Sequence, residues 1–322
     1  MVRRLLRGVG ALLLSSALVG CSAAVVPSAS LSPTPAPLAE PFKVVGYVTP
    51  AANLDAIDFS LLTHINYAFL IPRANGTTRP FGAPNHLRKL VTLAHAQGVK
   101  VLIAVGGWGW DKEFETLAAD PAIRTKLAKR LAEFCATYRL DGVDIDWEYP
   151  NAGASAAHFE ALTIAIRSAL PNGSLVTAAV LADGADAEGV TNDAVGHLDF
   201  INLMAYDGPP NDHSSFSMAE RSIQSWIARG IARERVVLGM PFYGRPGNAT
   251  YRTLLTNDPA TAGGDRILYK GVEQNYNGPA TIRRKTELAL TTAGGVMIWE
   301  LSQDARGSDS LLRVIGETVA AP

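Results

Sequence analysis

Cysteine is scarce in this chain: there are two, Cys21 and Cys135, in 322 residues. Cys135 has no partner in the mature domain, so a disulfide framework is excluded and Cys135 reads as a small core residue. Charge of one sign is equally lacking. The 29 Lys and Arg face 30 Asp and Glu, a net charge of −1, with no long block of one sign beyond the N-terminus. Nucleic acid, which calls for a basic footprint, is therefore not an expected partner. The six His show no metal-ligand spacing, so neither a metal nor another cofactor is expected. There are no internal repeats, and with 48% hydrophobic and 18% charged residues the composition suits one large α/β domain.

A long apolar membrane-spanning run is absent too, even at the N-terminus, MVRRLLRGVGALLLSSALVGC. Arg3, Arg4 and Arg7 make a charged start, and Val9 to Val19 an apolar stretch too short to span a bilayer comfortably, the pattern of an export signal. Leu18-Val19-Gly20-Cys21 resembles the lipobox of bacterial lipoproteins, in which small residues lead directly into a Cys that becomes the lipidated N-terminus. The expectation is a signal over residues 1–20 and a lipidated Cys21 heading a Ser/Ala/Pro-rich tether to residue 41. A folded domain then covers 42–322, exported and held at a cell membrane or surface by lipid alone. The tether has no periodicity and cannot bury enough surface to fold.

From residue 43 strand and helix patterns alternate. Strands are predicted over 43–50, 63–70, 99–108, 139–148, 174–183, 199–207, 235–244 and 294–301, with helical periodicity between most of them and a last helix near 308–319. Eight βα units over about 280 residues have the size of a (β/α)8 barrel. A doubly wound sheet usually carries a glycine-rich phosphate turn after its first strand, and GYVTPAANL is not one.

The chain is organised around DGVDIDWEYP, residues 141–150. Side chains alternate along a strand, so Val143, Ile145 and Trp147 face one way and Asp144, Asp146 and Glu148 the other. Three carboxyls in a row repel one another and lose water when buried. A parallel barrel accommodates such a row, because its outer face packs on helices while its inner face opens into a site at the strands' C-terminal ends. A solvated edge strand is the alternative, and Trp147 with apolar helices on both sides argues against it.

The row resembles the acidic signature of glycoside hydrolase family 18, Asp-x-x-Asp-x-Asp-x-Glu, at Asp141, Asp144, Asp146 and Glu148. AVGGW (104–108), NLMAYD (202–207), VLGMPFYGR (237–245) and GGVMIWEL (294–301) resemble further strands of that family, in order and at barrel spacing. The resemblance implies a hydrolase of β-1,4-linked N-acetylglucosamine polymers, acting with retention and as a monomer. Glu148 would be the general acid and base, and the sugar's own acetamido oxygen the nucleophile. Asp146 would orient that amide, Asp144 would share a proton with Asp146, and Tyr206 would hydrogen-bond the acetamido carbonyl. Trp299 matches the tryptophan under the subsite beside the cut. Tyr47, Phe69, Met204, Asp207, Tyr243 and Arg245 match positions lining the sugar site, with a core reading open for Phe69 and Met204. Trp108 and Trp110 follow a strand end and could stack on sugars further along, while Trp226, on a helical face, reads as core.

Two departures from the family shape the expectation. Ala104 stands where the family usually has Ser, which leaves Tyr47 and the Asp146 pair to hold Asp144, so that its proton should persist to higher pH. Only about 50 residues separate Tyr243 from Gly294, too few for a full α+β lobe inserted between strands 7 and 8. An open groove suited to cutting within chains is expected, with Tyr251, Tyr269 and Tyr276 shaping its rim. An endo-β-N-acetylglucosaminidase acting on the chitobiose core of N-glycans shares the acidic strand and stays open as an alternative. A non-catalytic chitin-binding lectin is a second alternative, although such proteins usually lose one of the carboxyls present here.

Overall fold

The computed structural model describes residues 41–209 and 212–321; the leader, Cys21 and all but the last residue of the tether lie outside the described residues. Eight parallel strands close a barrel: β1 Lys43–Val48, β2 His64–Leu70, β3 Lys100–Gly106, β4 Gly142–Asp146, β5 Leu175–Leu181, β6 Phe200–Met204, β7 Val236–Pro241 and β8 Gly295–Trp299. Each pairs with its neighbour in sequence, and β8 returns to β1 with Lys43 opposite Gly295. The eight predicted strands are therefore all present, with ends trimmed by a few residues.

Helices follow the periodic segments: α1 Pro84–His95, α2 Asp111–Ala119, α3 Pro121–Tyr138, α4 Ala154–Ala169, α5 Asn192–Gly196, α6 Phe216–Ala228, α7 Tyr251–Asn257, α8 Pro279–Thr292 and α9 Leu311–Ala320. Their starts obey capping chemistry. The Asp120 side chain accepts from the amides of Ala122 and Ile123 at α3, which has Pro121 in its first turn, and Ser215 and Ser310 cap α6 and α9 in the same manner. The β1–β2 crossover has only short 3-10 turns at Leu54–Ala56 and Phe59–Leu61.

Strand parity separates two cores. Val143, Ile145 and Trp147 point outward under the helices, where the Trp147 ring stacks on Phe114 of α2 at 5.2 Å and meets Phe159 of α4 at 6.2 Å. Its indole N–H donates to Asp111 at 2.8 Å. Aromatic pairs of this kind contribute about 0.5–1.5 kcal/mol each beyond the area they bury. The inner core is smaller, with Val45, Tyr47, Ala68, Ala104, Ala179, Phe200, Met204, Val237 and Met297 filling the barrel.

The Cys135 thiol, in α3, is buried, points to the Gly142 carbonyl at 3.5 Å and is pushed up to about 12 by burial. Trp226 is fully buried and donates to the carbonyls of Leu181 and Ala182.

The segment after β7 is compact. Tyr243–Gly244 pairs with Ala249–Thr250, α7 follows, and Arg266–Tyr269 pairs with Val272–Asn275 in a hairpin. This small elaboration stands in place of a full lobe. Tyr251 and Tyr276 are 1% and 3% exposed with ring centroids 6.3 Å apart. They form its interior and do not shape the cleft rim, because a segment this short has few other large side chains with which to build a core. Tyr269, under the Lys270 ammonium, also stays outside the cleft lining.

Candidate active site

β4 brings Asp144 and Asp146 into the barrel, and the chain then turns so that Glu148 stands two residues beyond the last strand position. Gly106 and Gly107 of the neighbouring strand end make this possible. Both have positive φ, 113° and 89°, and a Cβ on Gly106 would lie 2.3 Å from the Asp146 carbonyl. A Cβ on Gly107 would meet the Phe69 ring at 2.9 Å. The Gly107 amide donates to the Asp146 carbonyl at 2.8 Å, tying the two strand ends together.

Asp144 is completely buried and lies beneath the cleft. Tyr47 Oη donates to its Oδ2 at 2.5 Å, while Thr177 Oγ1 and Asn202 Nδ2 donate to Oδ1 at 2.5 and 3.3 Å. Burial raises this carboxyl to about 6, against the pull of those three donors. The expectation that Tyr47 and Asp146 alone hold Asp144 is thus corrected. The register sets Asp144 between Ala104 on β3 and Thr177 on β5, and the hydroxyl comes from the β5 side. No hydrogen bond joins Asp144 to Asp146 among the described residues.

Asp146 is 3% exposed and its Oδ1 has no hydrogen-bond partner. Burial pushes it well above the usual carboxylate range, and the charges of Glu148 and then Asp144 push the same way. Glu148, half-buried, is also raised, first by burial and further by Asp207, while a hydrogen bond with the Tyr149 hydroxyl opposes the shift. Two adjacent carboxyls with a shared tendency to keep a proton titrate as one set. The Tyr206 phenol is pushed up by burial and remains a donor, and its hydroxyl makes no hydrogen bond to another described residue.

Asp207 differs in kind. Tyr243 Oη donates to Oδ1 at 2.6 Å, and Arg245 reaches both oxygens, Nε at 2.8 Å and Nη2 at 2.5 Å. Burial alone would raise Asp207; hydrogen bonds with His213, Arg245 and Tyr243 outweigh it and hold the carboxylate well below its usual range. The φ of Asp207 is 59°, a left-handed conformation that Asp tolerates better than most residues.

His213, 2% exposed, sits under this pair. Its Nδ1 lies 3.2 Å from the Asp207 amide and 3.3 Å from its carboxylate, and its Nε2 is 3.2 Å from the Tyr243 carbonyl. The carbonyl fixes a proton on Nε2. Nδ1 then accepts from the Asp207 amide. The next residue, Ser214, is clamped by the fully buried Lys285. Nζ donates to Ser214 O at 2.6 Å, to Ser214 Oγ at 2.8 Å and to Asn277 Oδ1 at 2.7 Å.

A cleft of about 720 Å³ opens above these buried groups at the C-terminal ends of the strands. Asp146, Glu148 and Tyr206 line it together with Asp207, Tyr243 and Arg245. Trp299 floors it, edge-on to Tyr47 at 5.3 Å and stacked on Phe69 at 5.6 Å. Phe69 and Met204 are in the lining as well as against the inner core. Trp108 is 83% exposed at the rim, whereas one face of Trp110 is covered by the Arg79 guanidinium, 4.0 Å from the ring centroid. Another cavity, of about 770 Å³, lies between the 51–61 segment and α9, and its described lining holds no aromatic ring.

Sequence reasoning missed Thr177, Asn202, Tyr149, His213, Ser214 and Lys285. Strand parity could have flagged Thr177 and Asn202, since a polar residue inside an apolar strand at an inward position needs a buried partner. Nothing local marks His213 or Lys285.

A chitinase-type relationship emerges from the comparisons. Residues 43–304 match the family model of the glycosyl hydrolases family 18. Chitinase 1 of Aphanocladium album is 26% identical over 79% of this chain and 78% of its own length. Chitinase C of Streptomyces lividans is 30% identical over 70% of this chain, and the match spans 45% of that protein. Among solved structures, a chitinase from Bacteroides thetaiotaomicron superposes with a TM-score of 0.79 at 27% identity, covering 87% of this chain and 97% of the other. A family 18 chitinase from the chitin utilization locus of Flavobacterium johnsoniae gives 0.76 at 28% identity, covering 87% and 94%. With the carboxyl row and the closed barrel described above, the match over most of its length places this chain in glycosyl hydrolase family 18, and it is a glycosidase.

Proposed function

We propose that the enzyme cleaves β-1,4 links between N-acetylglucosamine units of chitin or chitooligosaccharides, within chains and with retention, using the substrate's acetamido group as nucleophile. The observation that carries this reading is the state of the carboxyls lining the cleft. Asp207 is saturated by Tyr243 and Arg245, and Asp146 and Glu148 both lean toward their protonated forms. A carboxyl held protonated is a poor nucleophile and a good acid. That tendency favours a nucleophile carried by the substrate. Glu148 donates its proton to the glycosidic oxygen as the acetamido oxygen closes on the anomeric carbon. The unpartnered Asp146 Oδ1 would accept from the amide N–H, and the Tyr206 hydroxyl, which lines the same cleft, would donate to the amide oxygen. Glu148, now ionised, takes a proton from the water that opens the oxazolinium ion, and two inversions give net retention.

The same reading has the enzyme exported, working as a monomer and held at a membrane through lipid on Cys21. Product analysis on chitin oligosaccharides beside a high-mannose glycopeptide, with the anomer followed by NMR, tests the chemistry. Early β-anomeric products from the oligosaccharides are expected. Cleavage confined to the glycopeptide, or α-anomeric products, overturns it.

A further inference from the structure

Beside the catalytic cleft runs a second groove, of about 600 Å³, between the loop that follows β2 and the exposed face of α3. Its charged lining is one-sided: Arg73, Arg79, Lys126, Lys129 and Arg130 against Glu133 alone. In a chain with a net charge of −1 that is a local concentration, not a reflection of composition. All five cations are exposed. Arg130 lies 3.6 Å from Glu133, Lys126 Nζ donates to the Asn75 carbonyl at 3.0 Å, and Arg73 and Lys129 make no ion pair among the described residues.

The groove and the cleft share a wall. Trp110 lines the catalytic cleft, and Arg79, which lines the groove, lies over its ring at 4.0 Å. A glycan that ran out of the cleft past Trp110 and over Arg79 would meet this positive charge. Polymers of neutral N-acetylglucosamine gain nothing from five cations, and a deacetylated, cationic chain is repelled by them. Acidic groups on the chain are attracted, and low-dielectric groove walls focus that field.

We infer that this groove extends the substrate site and selects N-acetylglucosamine-containing glycans that carry anionic substituents, carboxylate, sulfate or phosphate, on the sugars running beyond the cleft. This rests on the chitin-type reading of the cleft and narrows its substrate class.

Two soluble N-acetylated polymers separate charge from bulk: carboxymethyl chitin, which is anionic, and glycol chitin, which is neutral. At low ionic strength the wild-type KM for carboxymethyl chitin is expected to be about fivefold below that for glycol chitin, the sum of a few exposed ionic contacts. The gap should close as salt shortens the screening length to about 3 Å near 1 M. The triple variant Lys126→Gln, Lys129→Gln, Arg130→Gln, all on the exposed face of α3, should bring the two KM values together and leave kcat/KM on glycol chitin unchanged. Equal KM values in the wild type, or a preference that survives the triple variant, overturns the groove's role while the cleft reading stands. Failure to cut glycol chitin at all overturns the cleft reading on which the inference rests.

Discussion

Thr177 Oγ1 stands 2.5 Å from Asp144 Oδ1, donating across the barrel interior from β5 to β4. With Tyr47 and Asn202 it gives the buried carboxyl three donors, though position 104 offers none. Since each donor favours the charged form, Thr177→Val should raise Asp144 further above about 6. The acidic limb of the kcat/KM profile should move to higher pH by about one unit, the worth of one hydrogen bond to a charged group. Ala104→Ser, by contrast, should leave the limb in place, because Asp144 is already satisfied. A pH–rate profile in which Ala104→Ser shifts the limb and Thr177→Val does not would show that the donors are misassigned.

Glu148→Gln removes the transferable proton and almost no volume. Hydrolysis should fall by at least about a thousandfold with sugar binding retained, measured by oligosaccharide titration beside turnover. Activity within about tenfold of wild type would contradict the assignment.

If the acetamido group is the nucleophile, defined oligomers with glucosamine on the nonreducing side of the scissile bond should resist cleavage. Bonds following N-acetylglucosamine in the same oligomer should be cut normally. Mass spectrometry of the products reads this directly, and equal cutting at both bonds would point to a protein nucleophile.

Lys285 is fully buried, and burial pushes its ammonium down to about 7. Below about pH 7 the folded and unfolded chains both bind the proton; between about 7 and 10.4 the unfolded chain binds it and the folded chain does not, so stability rises with pH across that window. Relative to Lys285→Met, the wild type should therefore gain stability above pH 7, by up to about 1.4 kcal/mol per pH unit. Parallel denaturant titrations at several pH values measure the difference, and identical slopes in both proteins would refute it. The same variant frees Ser214 and should raise KM several-fold through the loosened His213–Asp207 contact, with a smaller change in kcat.

Cys21 lies outside the described residues, and its lipid is tested separately. Wild-type protein should partition with membranes and label with a fatty-acid probe, because two or more chains anchor stably where one is marginal. Cys21→Ser should be soluble and unlabelled. Equal membrane binding by the variant would end the anchoring proposal.

By itself the sequence determined the barrel and the row of carboxyls that β4 carries. Both depend on local periodicity: the alternation around Asp144, Asp146 and Glu148 survives in β4 and the turn after it, and the glycines of AVGGW meet the close approach that Asp146 and Phe69 impose. The tertiary structure alone decided which donors hold Asp144, because Thr177, 33 residues along the chain, reaches it from the paired strand β5, and Asn202, 58 residues along, from β6 one strand further round the barrel. It also decided that Tyr251 and Tyr276 are interior and that Lys285 braces Ser214 from 71 residues away. Side-chain contacts between distant strands follow from register and barrel closure, which no single stretch of sequence encodes.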